Sequence, residues 1–299
     1  MPGTDPTEVF AAHRELLFSM VYNMLGSVSD TEDVLQETWL AWAARSGDGD
    51  LAAVEHPRAY LVRVAVNQAL AQQSALRRRR ESYVGSWLPE PLLTGPAADK
   101  PAADGPSADG QTAESVSLAM LETLSPLERA VFILHEVFAY RHTEIAALLG
   151  RNPAAVRQLA HRAREHVRAR RPRRRVDART QREVTERFLA AAFGGDLEAL
   201  LKLLAPEVTL WYDGGADRPA RPVHGADKVA RVLTGTAARL AGAAEVRYRE
   251  VNGDPSAVVF VADAPYAVMV VDLTPDGTQV SGVYTVGDPG KLGHVREDG

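Results

Sequence analysis

Apolar side chains recur at helical spacing across residues 6–82. Phe10, Leu17, Val21 and Leu25 lie on one face of a first helix, and Val34, Leu35, Trp39 and Trp42 do so in a second. Gly26 and Ser27 interrupt the first helix. Ser29 can cap the second, with Glu32 three residues on as in a capping box. Gly47 to Asp50 forms a break. Pro57 suits a first helical turn, and a third helix follows through Tyr60, Leu61, Val64 and Leu70 to Arg77–Arg80.

From Gly85 to Ser115 the pattern gives way to Pro, Gly, Ala, Asp and Ser, which cannot bury enough apolar surface to fold, so this stretch reads as a flexible linker. Trp87-Leu88-Pro89-Glu90-Pro91-Leu92-Leu93 stands apart from it. A tryptophan and three leucines between stiffening prolines suit a docking peptide, and equally a loop collapsed on the nearest domain. Residues 114–171 return to helical periodicity. Beyond the basic stretch, two helices (about 177–194 and 196–204) precede a strand at Val208–Tyr212, a turn at Asp213-Gly214-Gly215 and a helix at about 225–241. Valine- and tyrosine-rich runs at 245–251, 256–262, 265–273 and 279–286 are punctuated by Asp254, Pro255, Pro275, Asp276 and Gly277, which predicts an antiparallel meander in an α+β domain.

Composition narrows the chemistry. Hydrophobic residues make up 45% and charged residues 24% of the chain, the balance of a folded soluble protein. The absence of cysteine excludes disulfides, thiolate metal sites and a cysteine nucleophile. No apolar run reaches about 18 residues and Met1–Phe10 lacks a signal pattern, so a cytoplasmic chain without membrane contact is expected. The net charge of −5 hides an uneven distribution. Between Arg151 and Arg175 there are ten arginines and one acid, Glu165, whereas the first 55 residues are acidic. This asymmetry suggests a nucleic-acid face. Arg77–Arg80 fits such a face or a solvated helix end.

The sharpest local pattern spans 141–170. Thr143–Leu149 is a short amphipathic segment stopped by Gly150. Asn152 is a natural N-cap, and Pro153 suits the first position of the next helix. That helix buries Val156, Leu159 (or Ala160) and Ala163, and turns Arg157, Gln158, His161, Arg162 and Arg164 outward. The pattern is a helix-turn-helix, whose second helix places its N-terminal turns at base edges in the major groove. Arginine can read guanine and glutamine adenine, while distal arginines hold phosphates. A helical hairpin with a basic face would share the pattern.

These residues also carry a resemblance. Leu124-Ser125-Pro126-Leu127-Glu128-Arg129-Ala130-Val131-Phe132, Tyr140, Thr143-Glu144-Ile145-Ala146, Val156 and His161-Arg162-Ala163-Arg164 are similar to domain 4 of bacterial sigma factors of the extracytoplasmic-function type. That domain binds the −35 promoter element and the polymerase flap. The resemblance gives a −35 set of Arg151, Asn152, Ala155, Arg157, Gln158, His161 and Arg162. Ala139 stands where the family usually has glycine, and Leu159-Ala160 replaces the common Arg-Leu. Asp30-Thr31-Glu32-Asp33-Val34-Leu35-Gln36-Glu37-Thr38-Trp39 resembles sigma region 2.2, which docks on the polymerase clamp. It implies a polymerase face of Asp30, Glu32, Asp33, Gln36, Glu37 and Trp39, although alone it would read as a solvated acidic helix. His56–Asn67 is similar to the segment that melts and reads the −10 element, which implies roles for Arg58, Tyr60, Arg63 and Asn67. Ala71 replaces a frequent aspartate. Together the two modules cover about half of the chain.

The C-terminal part resembles SnoaL-like domains of the nuclear-transport-factor-2-like fold, a sheet wrapped by helices into a cone with a pocket. Tyr212, Asp213, His224 and Tyr266 are pocket candidates, for a small-molecule ligand or for catalysis. No nucleophile–base pairing or oxyanion donor set accompanies them, so no enzyme activity is expected. A subgroup of these sigma factors carries a Trp-Leu-Pro-Glu-Pro linker, an Asp-Gly-Gly loop and an Asn-Pro-Asp-Lys-Leu-like tail. Trp87, Leu88, Pro89, Glu90 and Pro91 match the first, and Asp213, Gly214 and Gly215 the second. Asp288, Pro289, Gly290, Lys291 and Leu292 are an altered third. The resemblance implies regulation in cis, with no obligatory separate anti-sigma protein.

The expected fold is therefore multidomain: an all-α sigma domain 2 (1–84), a flexible linker (85–113), an all-α sigma domain 4 with the helix-turn-helix (114–173) and a SnoaL-like α+β cone (176–299). The expected partners are core RNA polymerase, through clamp and flap, and promoter DNA. No cofactor or metal is expected, because His142-x-Glu144 lacks the cysteines of a zinc deaminase site. Two rival readings are an autonomous helix-turn-helix regulator sensing a small molecule and a pocket enzyme tethered to DNA-binding domains. A simple repressor needs neither the clamp-like nor the −10-like helix.

Overall fold

In a computed structural model the described residues are 5–47, 56–81, 83–96, 124–170 and 176–295. The remaining linker residues, the start of the second helical domain before Leu124 and the arginines at 171–175 lie outside them. The described chain forms two compact units. Residues before 83 join 124–170 in one, and 83–96 join 176–295 in the other.

The first unit is all-α. α1 (Pro6–Leu25) ends at Gly26, whose φ of 69° allows its N–H to close on Tyr22 O. α2 (Val28–Gly47) is capped by Ser27, whose Oγ accepts from Asp30 N at 3.2 Å. The cap thus falls two residues before the expected Ser29, because the helix begins directly after the left-handed Gly26. α3 (Pro57–Glu81) completes a core of Leu17, Met20, Met24, Leu35, Trp42, Leu61, Val66 and Leu76. Trp42 is fully buried and its indole N–H donates to Pro6 O at 3.0 Å.

α4 (Pro126–Phe132) starts with the Ser125/Glu128 capping box and runs on as a π-helical turn, Ile133–Val137. α5 (His142–Leu149) and α6 (Pro153–Arg170) form the helix-turn-helix, hinged at Gly150 with φ 60°. Ile133, Leu134, Ile145, Val156, Ala160, Ala163 and Val167 are its core. At the position left open, Ala160 faces inward and Leu159 is only half-buried.

The second unit has α7 (Ala178–Gly194), α8 (Leu197–Leu203) and α9 (Ala226–Leu240) against a seven-stranded sheet ordered β1-β4-β5-β6-β7-β2-β3. The strands are β1 (Leu93–Pro96), β2 (Leu204–Asp213), β3 (Val223–His224), β4 (Ala244–Val251), β5 (Asp254–Val261), β6 (Ala264–Leu273) and β7 (Val280–Val286). β4 to β7 form the expected antiparallel meander, but β2 joins β7 in parallel, so the sheet is mixed. Alternation along β6 sends Met269, Val271 and Leu273 toward Phe188, Leu200 and Val229 of the helices, and Val268 to the opposite face. That opposite face is covered by Leu88 and, beyond the short α10 (Pro289–Leu292), by Val295.

This corrects the linker assignment for residues 85–96. Leu88 is buried against the sheet, and Leu93–Pro96 pairs with β4 as an edge strand. Local composition did not show it, because the apolar partners lie more than 150 residues away in β4 and β5.

Candidate nucleic-acid interface

The helix-turn-helix is built as its sequence dictates. Asn152 Oδ1 accepts from Ala155 N at 2.7 Å, fixing the start of α6. Arg151, Asn152, Arg157, Gln158, His161 and Arg162 are exposed, with Ala155 half-buried beside them. Two arginines on this helix serve the fold as well. Arg162 Nε lies 3.4 Å from Glu128, and Arg164 Nε binds Glu136 at 2.6 Å. These pairs tie α6 back to α4 and its π-turn, so Arg164 is an internal strut and not an outward reader. His161 pairs with Glu165 at 3.4 Å one turn along the helix. Burial alone would raise the Glu128 carboxyl; its Ser125 hydrogen bonds, with His166 and Arg162 nearby, bring the net shift below the usual range.

On α3, Arg63 and Asn67 are exposed along one face, and Arg58 is exposed on the other side of the helix near its start. Arg63, Val64, Asn67 and Gln68 line an open depression of about 310 Å³. Asn67 Nδ2 donates to Arg63 O at 2.8 Å and reaches Leu148 O of α5 at 3.5 Å, while Arg58 hydrogen-bonds Tyr140. Tyr60 leans on Trp42, with the Arg45 guanidinium 5.1 Å above its ring. The Arg77–Arg80 run turns partly inward: Arg79 binds Asp30 at 2.6 Å and Arg80 donates to Leu25 O at 2.7 Å. Burial and neighbouring Arg129 lower Arg80 to about 10. Burial alone brings Arg129, which donates to Asn23 O, to about 9.

The acidic helix splits into two roles. Glu32, Asp33, Gln36 and Glu37 are exposed, and Glu32 is bidentate with Arg14. Asp30 is buried on Arg79 and Gln72, and Trp39 packs edge-on against Phe10 at 5.3 Å, so both face inward. Leu40, 52% exposed, was missed. It lies seven residues after Asp33 and four after Gln36, on the same stripe. Period-3.6 bookkeeping of exposed positions would have found it.

The three motif segments, 87–91, 213–215 and 288–292, converge in the second unit. Asp213, with no exposed surface, accepts from Leu88 N at 2.8 Å, Lys291 Nζ at 2.8 Å and the Tyr83 hydroxyl. Lys291 also donates to Leu88 O at 2.6 Å and sits 3.4 Å from the Trp87 ring centroid. Burial lowers the Lys291 ammonium from its ordinary range, against the opposing pull of Asp213. Leu88, Pro89, Glu90 and Pro91 are buried, and His294 Nε2 meets Pro91 O. Gly214 is required by space, since a Cβ there would come within 2.7 Å of Arg218 O, and Gly215 by its left-handed φ of 80°. Asp288 caps α10 ahead of Pro289 by accepting from Gly290 N, and Leu292 is buried beside Leu88.

The pocket candidates do not assemble. Tyr212 is on β2 against Gly214 and Gly287, His224 on β3 bonds Thr209, and Tyr266 opens β6 on the far side of β7. The cavity lined by Arg182, Thr185, Glu186, Tyr248, Arg249, Glu250, Pro255 and Ser256 measures about 10 Å³, room for one water. Among the described residues no cluster of three or more metal-ligating side chains occurs, and no helix is long and apolar enough to cross a membrane.

Comparison with known proteins agrees with this layout. Residues 9–81 match Sigma-70 region 2 and residues 118–167 match Sigma-70 region 4. The chain is 37% identical over 233 residues to the ECF RNA polymerase sigma factor SigJ of Mycobacterium tuberculosis, covering 77% of this chain and 72% of that one. It is 28% identical over 302 residues to the same organism's probable ECF RNA polymerase sigma factor SigI, covering 100% and 99%. The crystal structure of M. tuberculosis SigJ superposes with a TM-score of 0.71 at 33% identity, over 96% of this chain and 98% of that one.

Proposed function

Since the chain belongs to the extracytoplasmic-function sigma factors, which direct RNA polymerase to promoters, we propose that its two helical domains divide the promoter between them and that the C-terminal domain sets their activity in cis. α6 reads the −35 element through Arg157 and Gln158, with Arg151, Asn152, Ala155, His161 and Arg162 around them. The open α3 face, with Tyr60, Arg63 and Asn67, takes the −10 strand, and Arg58 at the start of the helix adds a further cation. Asp33, Gln36, Glu37 and Leu40 form the polymerase face of α2. Docking here is apolar at one residue and acidic around it, an arrangement suited to specific association.

The observation that carries control in cis is the clasp on Asp213. Tyr83 follows the last residue of α3 by two positions, and Tyr83, Trp87 and Leu88 are gripped by Asp213 and Lys291. The chain leaving the −10 domain is therefore anchored in the regulatory domain, which does the work that a separate anti-sigma protein does elsewhere. Burying a side chain such as Trp87 is worth roughly 2–3 kcal/mol, enough to bias an arrangement by tens-fold. Run-off transcription with core polymerase, comparing full-length wild type with Trp87→Ala and Lys291→Met, tests this. Both variants should change promoter output in the same direction while retaining core binding. Wild-type output from both would exclude control through the clasp.

A further inference from the structure

Between the π-helical end of α4 and the helix-turn-helix the chain reverses within four residues, and the turn is under strain. Phe138 N bonds Ile133 O at 3.2 Å, Tyr140 N bonds Leu134 O at 2.9 Å, and Ala139 between them has φ 55°. A left-handed alanine persists only where its surroundings hold it. His135 is one such support, since its Nδ1 lies 2.8 Å from Tyr140 O. A carbonyl only accepts, so Nδ1 carries the hydrogen.

The second support is the His142 ring, stacked on His135 with centroids 4.1 Å apart and planes at 35°. His142 Nε2 is buried and has no hydrogen-bond partner among the described residues. A neutral imidazole bears that as an unpaired acceptor, whereas a proton there would be a buried charge without a counter-ion. The charged groups around the ring are adverse. Facing it among the described residues are His135 from the π-turn, Arg157 and Arg164 from α6, and the acid Glu136. Glu136 is already engaged by Arg164 at 2.6 Å and stands 4.0 Å from His135 Nε2. Burial first, then these cations, lower the His142 ring below the ordinary imidazole range.

We propose that the His135–His142 stack is an acid-sensitive latch that sets the position of the helix-turn-helix on α4. While the His142 ring is neutral, the stack packs the strained turn. On acidification His142 can take a proton only by swinging its Nε2 to water, which unstacks the rings and frees α5 and α6 from the turn. The sign follows from linkage: a folded-state value below the unfolded one gives stability that is complete above about pH 6.5 and falls as pH drops through the folded value. Unfolding of this region should therefore become easier by at most about tenfold for each pH unit within that window.

The latch gives the −35 reader of the proposed function a pH response, and it is tested without DNA so that the two readings stand or fall separately. Hydrogen exchange on the full chain, corrected for the intrinsic rate, compares segment 138–165 with segment 28–47 at pH 7.5 and pH 5.5. Protection should drop selectively in 138–165, by up to about tenfold, the limit for one pH unit below 6.5, and His142→Gln should abolish the drop. Should that variant fold poorly, imidazole resonances of the wild type decide: His142 should titrate below the ordinary imidazole range, in step with shifts at Ala139 and Tyr140. Unchanged protection, equal loss in both segments, or a His142 that titrates within the ordinary imidazole range would overturn the latch.

Discussion

At the scale of single residues, two of the side chains that sit where local rules disfavour them bear on function. One is Ala139, left-handed at φ 55° where glycine would cost nothing sterically. Ala139→Gly should stabilise the helix-turn-helix by roughly 0.5–1 kcal/mol, relief of the left-handed strain being partly offset by the greater freedom of glycine when unfolded. A urea midpoint that does not rise would show the strain to be absorbed elsewhere. The other is Lys291, 5% exposed and bound to an Asp213 with no exposed surface. Such a pair adds little to stability compared with apolar residues, but removing one partner leaves a buried charge behind. That asymmetry suits a clasp whose task is to fix one geometry. Neither placement was legible from composition. Ala139 was visible as a departure from the resembling family, whereas the Lys291 contact spans 78 residues to Asp213 and 203 to Leu88.

At the scale of elements, periodicity and punctuation located the helices, since Gly26, Gly150 and Asn152 act within a turn of themselves. What escaped were features set by distant partners. Asp30 reads as part of an exposed acidic stripe, yet Arg79, 49 residues on, draws it inward. The parallel pairing of β2 with β7, and the recruitment of Leu93–Pro96 to β4, depend on sheet closure and leave no local trace. For the recognition helix the structure sharpens the mutational expectation. Arg157→Ala and Gln158→Ala should relax base preference at the −35 element, each by about 1–3 kcal/mol at its position. Arg164→Ala should weaken all sequences alike, because it removes the 2.6 Å strut to Glu136. Binding to a randomised duplex pool separates the two effects, and equal sequence-blind losses from all three would reject this face as the reader.

At the scale of the whole molecule, two reading domains and a third domain of different construction share one chain. The acidic stripe of α2, the open face of α3 and the basic face of α6 are surfaces that a simple repressor would not combine. The central claim is that they serve transcription initiation by a core enzyme that this chain directs. The most direct measurement is transcription by purified core RNA polymerase on a genomic fragment library, with and without the purified full-length chain. Transcripts should start at a defined subset of fragments only when the chain is present, sharing −35 and −10 sequences. No chain-dependent start on any fragment would contradict the account.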